Sequence, residues 1–370
     1  MKKELLELDP QADALLILQC PNLQQIHEPI EQEISAEKKT IEINSTQRQQ
    51  ADAIKPPATK NEMASLQPYL QNGHPNHIEF RVSAKHLCLA SPVFRKMIQG
   101  EYQESKPNNK GMLEIKASDW NAEAFLTVLD IIHSHHDSVP GNLPMDAIAQ
   151  VGVIVDYYDC REVVQIFFES WRQSTTNFSG YALWPFHENV IDDMGYFGHD
   201  ETIVLFLART FAHTPCFKGL TRSAILNTFG LMETCLPIPA QILDANNQHD
   251  AEKINHMRCE LINELFSQLY SLQEDLVVGR VGCTLECSCR LLGYLMKQMR
   301  ERNLPMEKPS EPFPGYSVVS VVKLIRGIKT PNWRTHKSLD PCKLEKSLGL
   351  YQNGKDLGIA VPGLDLEDFQ

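Results

Sequence analysis

The sequence predicts an α+β domain, a short mixed sheet flanked by helices, followed by a mainly α-helical C-terminal domain. Three observations carry this. Residues 80–104 open as a strand and run into two short helices, with Phe80 and Val82 alternating with Glu79 and Arg81 at the period of a half-buried strand. Two further short apolar runs, 14–18 and 111–116, read as strands. The second half of the chain carries apolar residues at steps of three and four, as helices require.

The 80–104 stretch is the best defined. Ser83 is placed to cap a short helix carrying Leu87, Cys88 and Leu89. Ser91-Pro92 follows, a capping residue and then the residue best tolerated at the first helical position. Phe94, Met97 and Ile98 fall on one face, and Gly100 is expected to stop the helix as a C-terminal glycine.

The pattern F-x-V-x-x-x-x-L-x-x-x-S-P-V-F is carried here by Phe80, Val82, Leu87, Ser91, Pro92, Val93 and Phe94, with Tyr102, Glu104 and Ser105 after it. It resembles the centre of a BTB/POZ domain, of the type common in filamentous fungi that carries a helical C-terminal extension. Ser83 stands where many such domains have histidine. The resemblance implies that Ala14–Leu18 is the domain's first strand, with Asp13 matching an aspartate common there. That strand normally hairpins almost directly into the one at 79–82, whereas here roughly sixty residues intervene. A strand at 111–116 and a helix ending in Ile132-His133 also match, with Ser118 or Asp119 expected to cap that helix. Two apolar helices between Met145 and Trp171 would close the domain. The expected boundaries are 9–172 for the BTB-like domain, with a core of 9–20 and 77–172 and a low-order insertion at 21–76, then 180–370 for the helical domain.

Protein–protein interaction is the function that the resemblance implies, not catalysis; a scaffold with a structural zinc in the C-terminal domain and an enzyme with an unrecognised site are the alternatives. Tyr102-Gln103-Glu104 resembles the hydrophobic-x-Glu element by which some BTB adaptors contact a cullin ubiquitin-ligase scaffold, so Tyr102 and Glu104 are the candidate partner-binding residues. The bland alternative is a locally packed tyrosine beside a solvated acid. A homodimer is also implied, through an apolar face to which a helix with Met63, Leu66 and Leu70 would contribute, although Pro68 counts against that helix.

Composition sets the outer limits. At 370 residues the chain has material for two domains, and 42% hydrophobic and 8% aromatic residues are ordinary for a globular protein. A net charge of −12 argues against nucleic acid as a non-specific partner. Ten cysteines without a secretory signal point to a reducing compartment, and no segment has membrane-span length. An intracellular location, cytoplasm or nucleus, is therefore expected, and the triplets at Asn44 and Asn177 read as chance glycosylation matches. Residues 31–62 are polar, aromatic-poor and broken by Pro56-Pro57, the composition of a disordered loop.

In the C-terminal half one stripe runs through Ile254, Met257, Leu261, Leu265, Leu269 and Leu272. A second runs through Leu285, Cys289, Leu292, Met296 and Met299. Val318, Val321, Val322, Ile325 and Ile328 form a third, rich enough in valine for a strand to remain an alternative. No solenoid repeat, nucleophile elbow, phosphate loop, zincin or dinucleotide fingerprint occurs. The chemically suggestive group is Cys283-x3-Cys287-x-Cys289 at a helix start, with His336 and Cys342 further on. Cys283, Cys287, His336 and Cys342 would make a closed tetrahedral site for one structural zinc. Against this stands the ordinary role of cysteine as a small buried core residue. His133-Ser134-His135-His136-Asp137 has metal-ligand residue types but reads as a solvated loop after a helix.

Overall fold

A computed structural model describes residues 4–27, 63–109, 111–174, 197–232, 234–243, 253–331, 342–348 and 361–369. The chain forms two compact units, 1–183 with 234–237, and 184–233 with 238–370.

The first unit is built on a mixed four-stranded sheet in the order β1-β3-β2-β4. Its strands are β1 (Glu4–Glu7), β2 (Ala14–Gln19), β3 (His77–Val82) and β4 (Leu113–Ser118). β2 and β3 are antiparallel, with Leu16 opposite Phe80, while β2 and β4 are parallel. β1 is an edge strand parallel to β3, with Leu6 opposite Phe80. A four-residue edge strand with a glutamate at each end leaves little periodicity to read. β4 runs two residues beyond the expected 111–116, because its pairing with β2 continues to Gln19 and Ser118. Asp119 then turns with φ +71°, and Asn121, not Ser118 or Asp119, caps the following helix by accepting from the Ala124 N–H.

Among the described residues, five helices accompany the sheet: α1 (Ala84–Ala90), α2 (Pro92–Gln99), α3 (Ala122–Ile132), α4 (Met145–Tyr158) and α5 (Arg161–Ser174). The core is continuous through aromatic side chains. Phe80 meets Phe125 edge-on at 5.9 Å, and Phe94 stacks on Tyr158 at 4.1 Å. Ser91 is wholly buried and uses both capacities of its hydroxyl. It accepts from the Phe94 N–H at 3.0 Å, capping α2, and donates to the Tyr158 carbonyl at the end of α4.

The start of α1 is fixed three ways. Ser83 Oγ accepts from His86 N–H at 3.4 Å, Asp13 Oδ1 accepts from Ala84 N–H at 2.7 Å, and His133 Nε2 accepts from Ser83 N–H at 3.1 Å. Because Nε2 accepts, the ring proton of His133 sits on Nδ1, which donates to the Leu129 carbonyl at 2.9 Å. Burial, reinforced by His86 and His135 and opposed by the Leu129 carbonyl and Asp9, holds the His133 pKa below its ordinary value.

Of the long insertion, 21–27 and 63–76 are described. Asn22 joins these two ends to α3: its Nδ2 donates to the Met63 and Leu66 carbonyls, and its Oδ1 accepts from Ala122 N–H. Gln24 links the first of these ends to the cap of α3 and to α4, accepting from Asn121 N–H and donating to the Gln150 carbonyl. The disorder expected for 31–62 falls outside the described residues. The expected 63–70 helix is not formed; only Met63 and Ala64 are helical, and Met63 is buried while Leu70 is exposed. Pro68 and the 69–75 bridge keep residues 65–70 from being helical.

The second unit is helical among its described residues: α6 (His199–Thr210), α7 (Thr214–Asn227), α8 (Ala240–Leu243), α9 (Lys253–Val277), α10 (Leu285–Glu301), α11 (Val318–Arg326) and the single turn α12 (Leu344–Ser347). The valine-rich stripe is helical and buried, as its helical reading expects. On α9, Ile254, Leu265, Leu269 and Leu272 are buried as expected. In its second turn lies Arg258, fully buried, which donates to Asn255 Oδ1 and to the carbonyls of Pro312 and Tyr316. On α10 the expected face is rotated: Leu285 and Cys289 are exposed, and Cys287, Ser288, Leu291, Leu295 and Met299 are buried. Leucines on both sides of the helix make the register ambiguous from spacing, and the Ser288 hydroxyl fixes it by donating to Leu276 O at 2.7 Å.

Two expectations follow for the first unit. Phe94→Ala should cost about 3–5 kcal/mol, the range for an emptied aromatic site, and Ser91→Ala about 1–3 kcal/mol for a lost cap and an unpaired buried carbonyl. Native-state hydrogen exchange of α2 and α4 in the full-length protein measures both, and unchanged protection in Phe94→Ala would place that ring outside the core. The second expectation concerns acid. The His133 pKa is depressed on folding, so its contribution is fully present above the unfolded value near 6.5 and is lost as pH falls below it towards the folded value. Urea midpoints between pH 7.5 and 5, roughly the histidine range, should fall less steeply in His133→Phe than in wild type.

Candidate protein-interaction site and candidate metal centre

After α2 the chain makes a tight turn that positions Tyr102 and Glu104. Gly100 does not take the left-handed conformation expected of a C-terminal glycine; its φ and ψ are −80° and −172°. Its lack of a side chain matters for another reason. A Cβ there would sit 2.8 Å from the Tyr102 ring and against the Lys96 carbonyl. The glycine lets the Tyr102 ring edge lie flat on the end of α2 while the rest of the ring faces outward.

A 3-10 turn, Gln103–Ser105, follows. The Tyr102 carbonyl accepts from both Ser105 N–H at 3.3 Å and Ser105 Oγ at 2.7 Å, which stiffens the turn. Tyr102 is 60% exposed, and Glu104 is half-buried. The two candidate residues therefore lie on one short, internally bonded turn. An exposed tyrosine on a stiff backbone loses little conformational entropy on binding, and a neighbouring carboxylate can set the register of a partner.

The other candidate site lies at the start of α10. Thr284 caps this helix, its Oγ1 accepting from Cys287 N–H at 3.1 Å. Cys283 comes just before the cap and Cys287 in the first turn, so the x3 spacing wraps the helix start. Gly282 lets the preceding loop fold onto that turn. Its φ is +113°, and a Cβ would lie 2.9 Å from the Ser288 nitrogen. Cys342, from the segment containing α12, completes the group: the Sγ atoms of Cys283, Cys287 and Cys342 all lie within 4.8 Å of one another.

Their environments differ. Cys287 is buried, Cys342 intermediate and Cys283 exposed, and none of the ten cysteines is in a disulfide. Burial, together with the adjoining Cys283 and Cys342 thiols, raises the Cys287 pKa, against a lowering contribution from the Cys283 backbone. Cys289 is exposed on the same helix and is not part of the group. His336 lies outside the described residues. Three of the four sequence-derived candidate ligands are thus brought together.

The histidine-rich 133–137 stretch is dispersed in role. His133 is buried in the α1–α3 link, His135 Nδ1 lies 3.6 Å from Asp130 Oδ1, and the His136 ring packs edge-on against Phe167. Sequence spacing missed the Thr330–Glu345 pair beside the thiols. Thr330 N–H and Oγ1 donate to the Glu345 carboxylate at 3.1 and 2.6 Å, and Leu344 N–H donates to Thr330 Oγ1 at 2.7 Å. Thr330, a capping residue type, was a partial signal for it. No helix among the described residues is long and apolar enough to cross a membrane.

No curated protein and no solved structure matches the chain. A family model does match, over residues 72–175. The matched stretch holds β3, α1, α2, β4 and α3–α5, with the exposed Tyr102 turn inside it, while β2 enters the sheet from outside the match. The short mixed sheet with its helices and the family match agree with one another, and on both grounds this chain carries a BTB/POZ domain, a protein–protein interaction module.

Proposed function

We propose that this is a non-enzymatic intracellular interaction protein, an adaptor that docks a protein partner through the turn bearing Tyr102 and Glu104. The domain would span 9–172 with its inserted segment, and the helical domain 180–370. The observation that supports the reading is the exposed tyrosine held on a turn whose backbone is tied down by Ser105. A side chain left in water on a stiff element, beside a half-buried carboxylate, suits recognition better than core packing.

A cullin ubiquitin-ligase scaffold is the partner class that the hydrophobic-x-Glu element suggests, and a second copy of the chain is the other. Affinity purification of the full-length protein from cells, wild type against Tyr102→Ala/Glu104→Ala, tests this. A cullin retained by wild type and lost from the double variant is the expected outcome. A cullin absent from both removes the ligase-adaptor reading, and light scattering then reports whether the chain is its own partner.

A second reading, a scaffold stabilised by a structural zinc, is supported by the convergence of Cys283, Cys287 and Cys342. Packing explains a buried Cys287 but not an exposed Cys283 brought to the same point. His336 is the sequence candidate for the fourth ligand. Metal analysis of the purified protein should give about one zinc per chain, as a closed four-ligand site requires. The His336→Ala variant should hold less; zinc content unchanged in it would assign the fourth position elsewhere.

A further inference from the structure

Resting on the zinc reading, we propose that the ion acts as a latch: coordination by Cys283, Cys287 and Cys342 fastens the 342–348 segment to the start of α10, so that metal occupancy decides whether that segment is docked. The three thiols come from two places in the chain. Cys283 and Cys287 flank the cap of α10, whereas Cys342 directly precedes α12. A metal bound by all three is a cross-link between them.

The segment would gain from such a cross-link. α12 is a single turn of four residues, too short to be helical unaided. Leu344 and Leu348 are buried, and the Thr330–Glu345 pair also holds the segment. A metal at the thiols would add a covalent-strength hold at the point where the segment begins.

The geometry suits zinc. With Zn–S bonds of about 2.3 Å, a tetrahedral site sets its sulfurs roughly 3.8 Å apart. The thiols, within 4.8 Å, need to converge by only about 1 Å on that estimate, which side-chain torsions can supply. Thiolate donors select zinc over the harder magnesium and calcium. Three thiolates leave the complex with net negative charge beside the first turn of α10, a seventeen-residue helix, where its dipole favours an anion. Zinc binding there releases the thiol protons to solvent, with no change in oxidation state.

Hydrogen exchange on zinc-loaded full-length protein, with zinc content measured in parallel, is the test. Chelation of the wild type should speed exchange in 342–348 by on the order of tenfold, and added zinc should restore protection. Cys342→Ser should show the fast exchange without chelation and bind less zinc, while Cys289→Ser should match wild type in both readouts. Zinc bound in wild type with 342–348 equally protected before and after chelation would overturn the latch and leave the structural site standing. A wild-type protein that takes up no zinc when it is supplied would overturn both.

Discussion

The first unit depends on one hydroxyl. Ser91 has no access to water, so each of its hydrogen-bonding capacities must be met inside the protein. One is met by the first turn of α2 and the other by the last residue of α4. This fixes where α2 begins relative to α4, and Phe94, three residues on, then stacks on the ring of Tyr158. Tyr158 also meets Phe125 at 6.1 Å, and Phe125 meets Phe80 on the central strand. A contact between two helix ends is in this way carried to the sheet. Trp120 adds a polar tie, its Nε1 donating to the Tyr158 hydroxyl at 3.3 Å, and burial raises the Tyr158 pKa so that the phenol stays neutral.

The position of the Tyr102 turn follows from that core. α2 is only eight residues long, so its end is set by its start. Tyr102 leaves that end over Gly100, where no side chain stands in its way. The surface feature and the buried serine are two ends of one short rod. This explains how a solvent-exposed tyrosine comes to have a defined direction without being packed.

What could be read in the sequence was what local chemistry decides. The caps Ser83 and Ser91, the proline after Ser91 and the alternation of Phe80 and Val82 each act within a few residues, and each does in the structure what its type suggests. The same holds for the gathering of Cys283 and Cys287, which one helix start determines. Gly100 shows the limit: glycine was needed, but for a close approach to Tyr102 that spacing cannot reveal. Asn22 satisfies backbone groups some 40 and 100 residues away, and His133 serves the Ser83 N–H at a separation of 50. Such pairings are settled by tertiary geometry alone. The face of α10 is decided in a related way: leucines lie on both sides of the helix, and a distant carbonyl, that of Leu276, makes the choice.

The second unit contains two buried polar arrangements, and they differ in a way that bears on function. Arg258 is deeply buried, and burial lowers its pKa, yet its guanidinium is surrounded by oxygen acceptors from Asn255, Pro312 and Tyr316. Its role is complete within the fold: it ties the 312–316 loop to α9. The thiols differ from Arg258 in exposure and in chain origin. A cluster that runs from buried Cys287 to exposed Cys283 gains little from apolar burial, and thiols are weak partners for one another. Three soft donors from two chain segments, gathered at the positive end of a long helix, form a donor set of the kind that suits a soft cation.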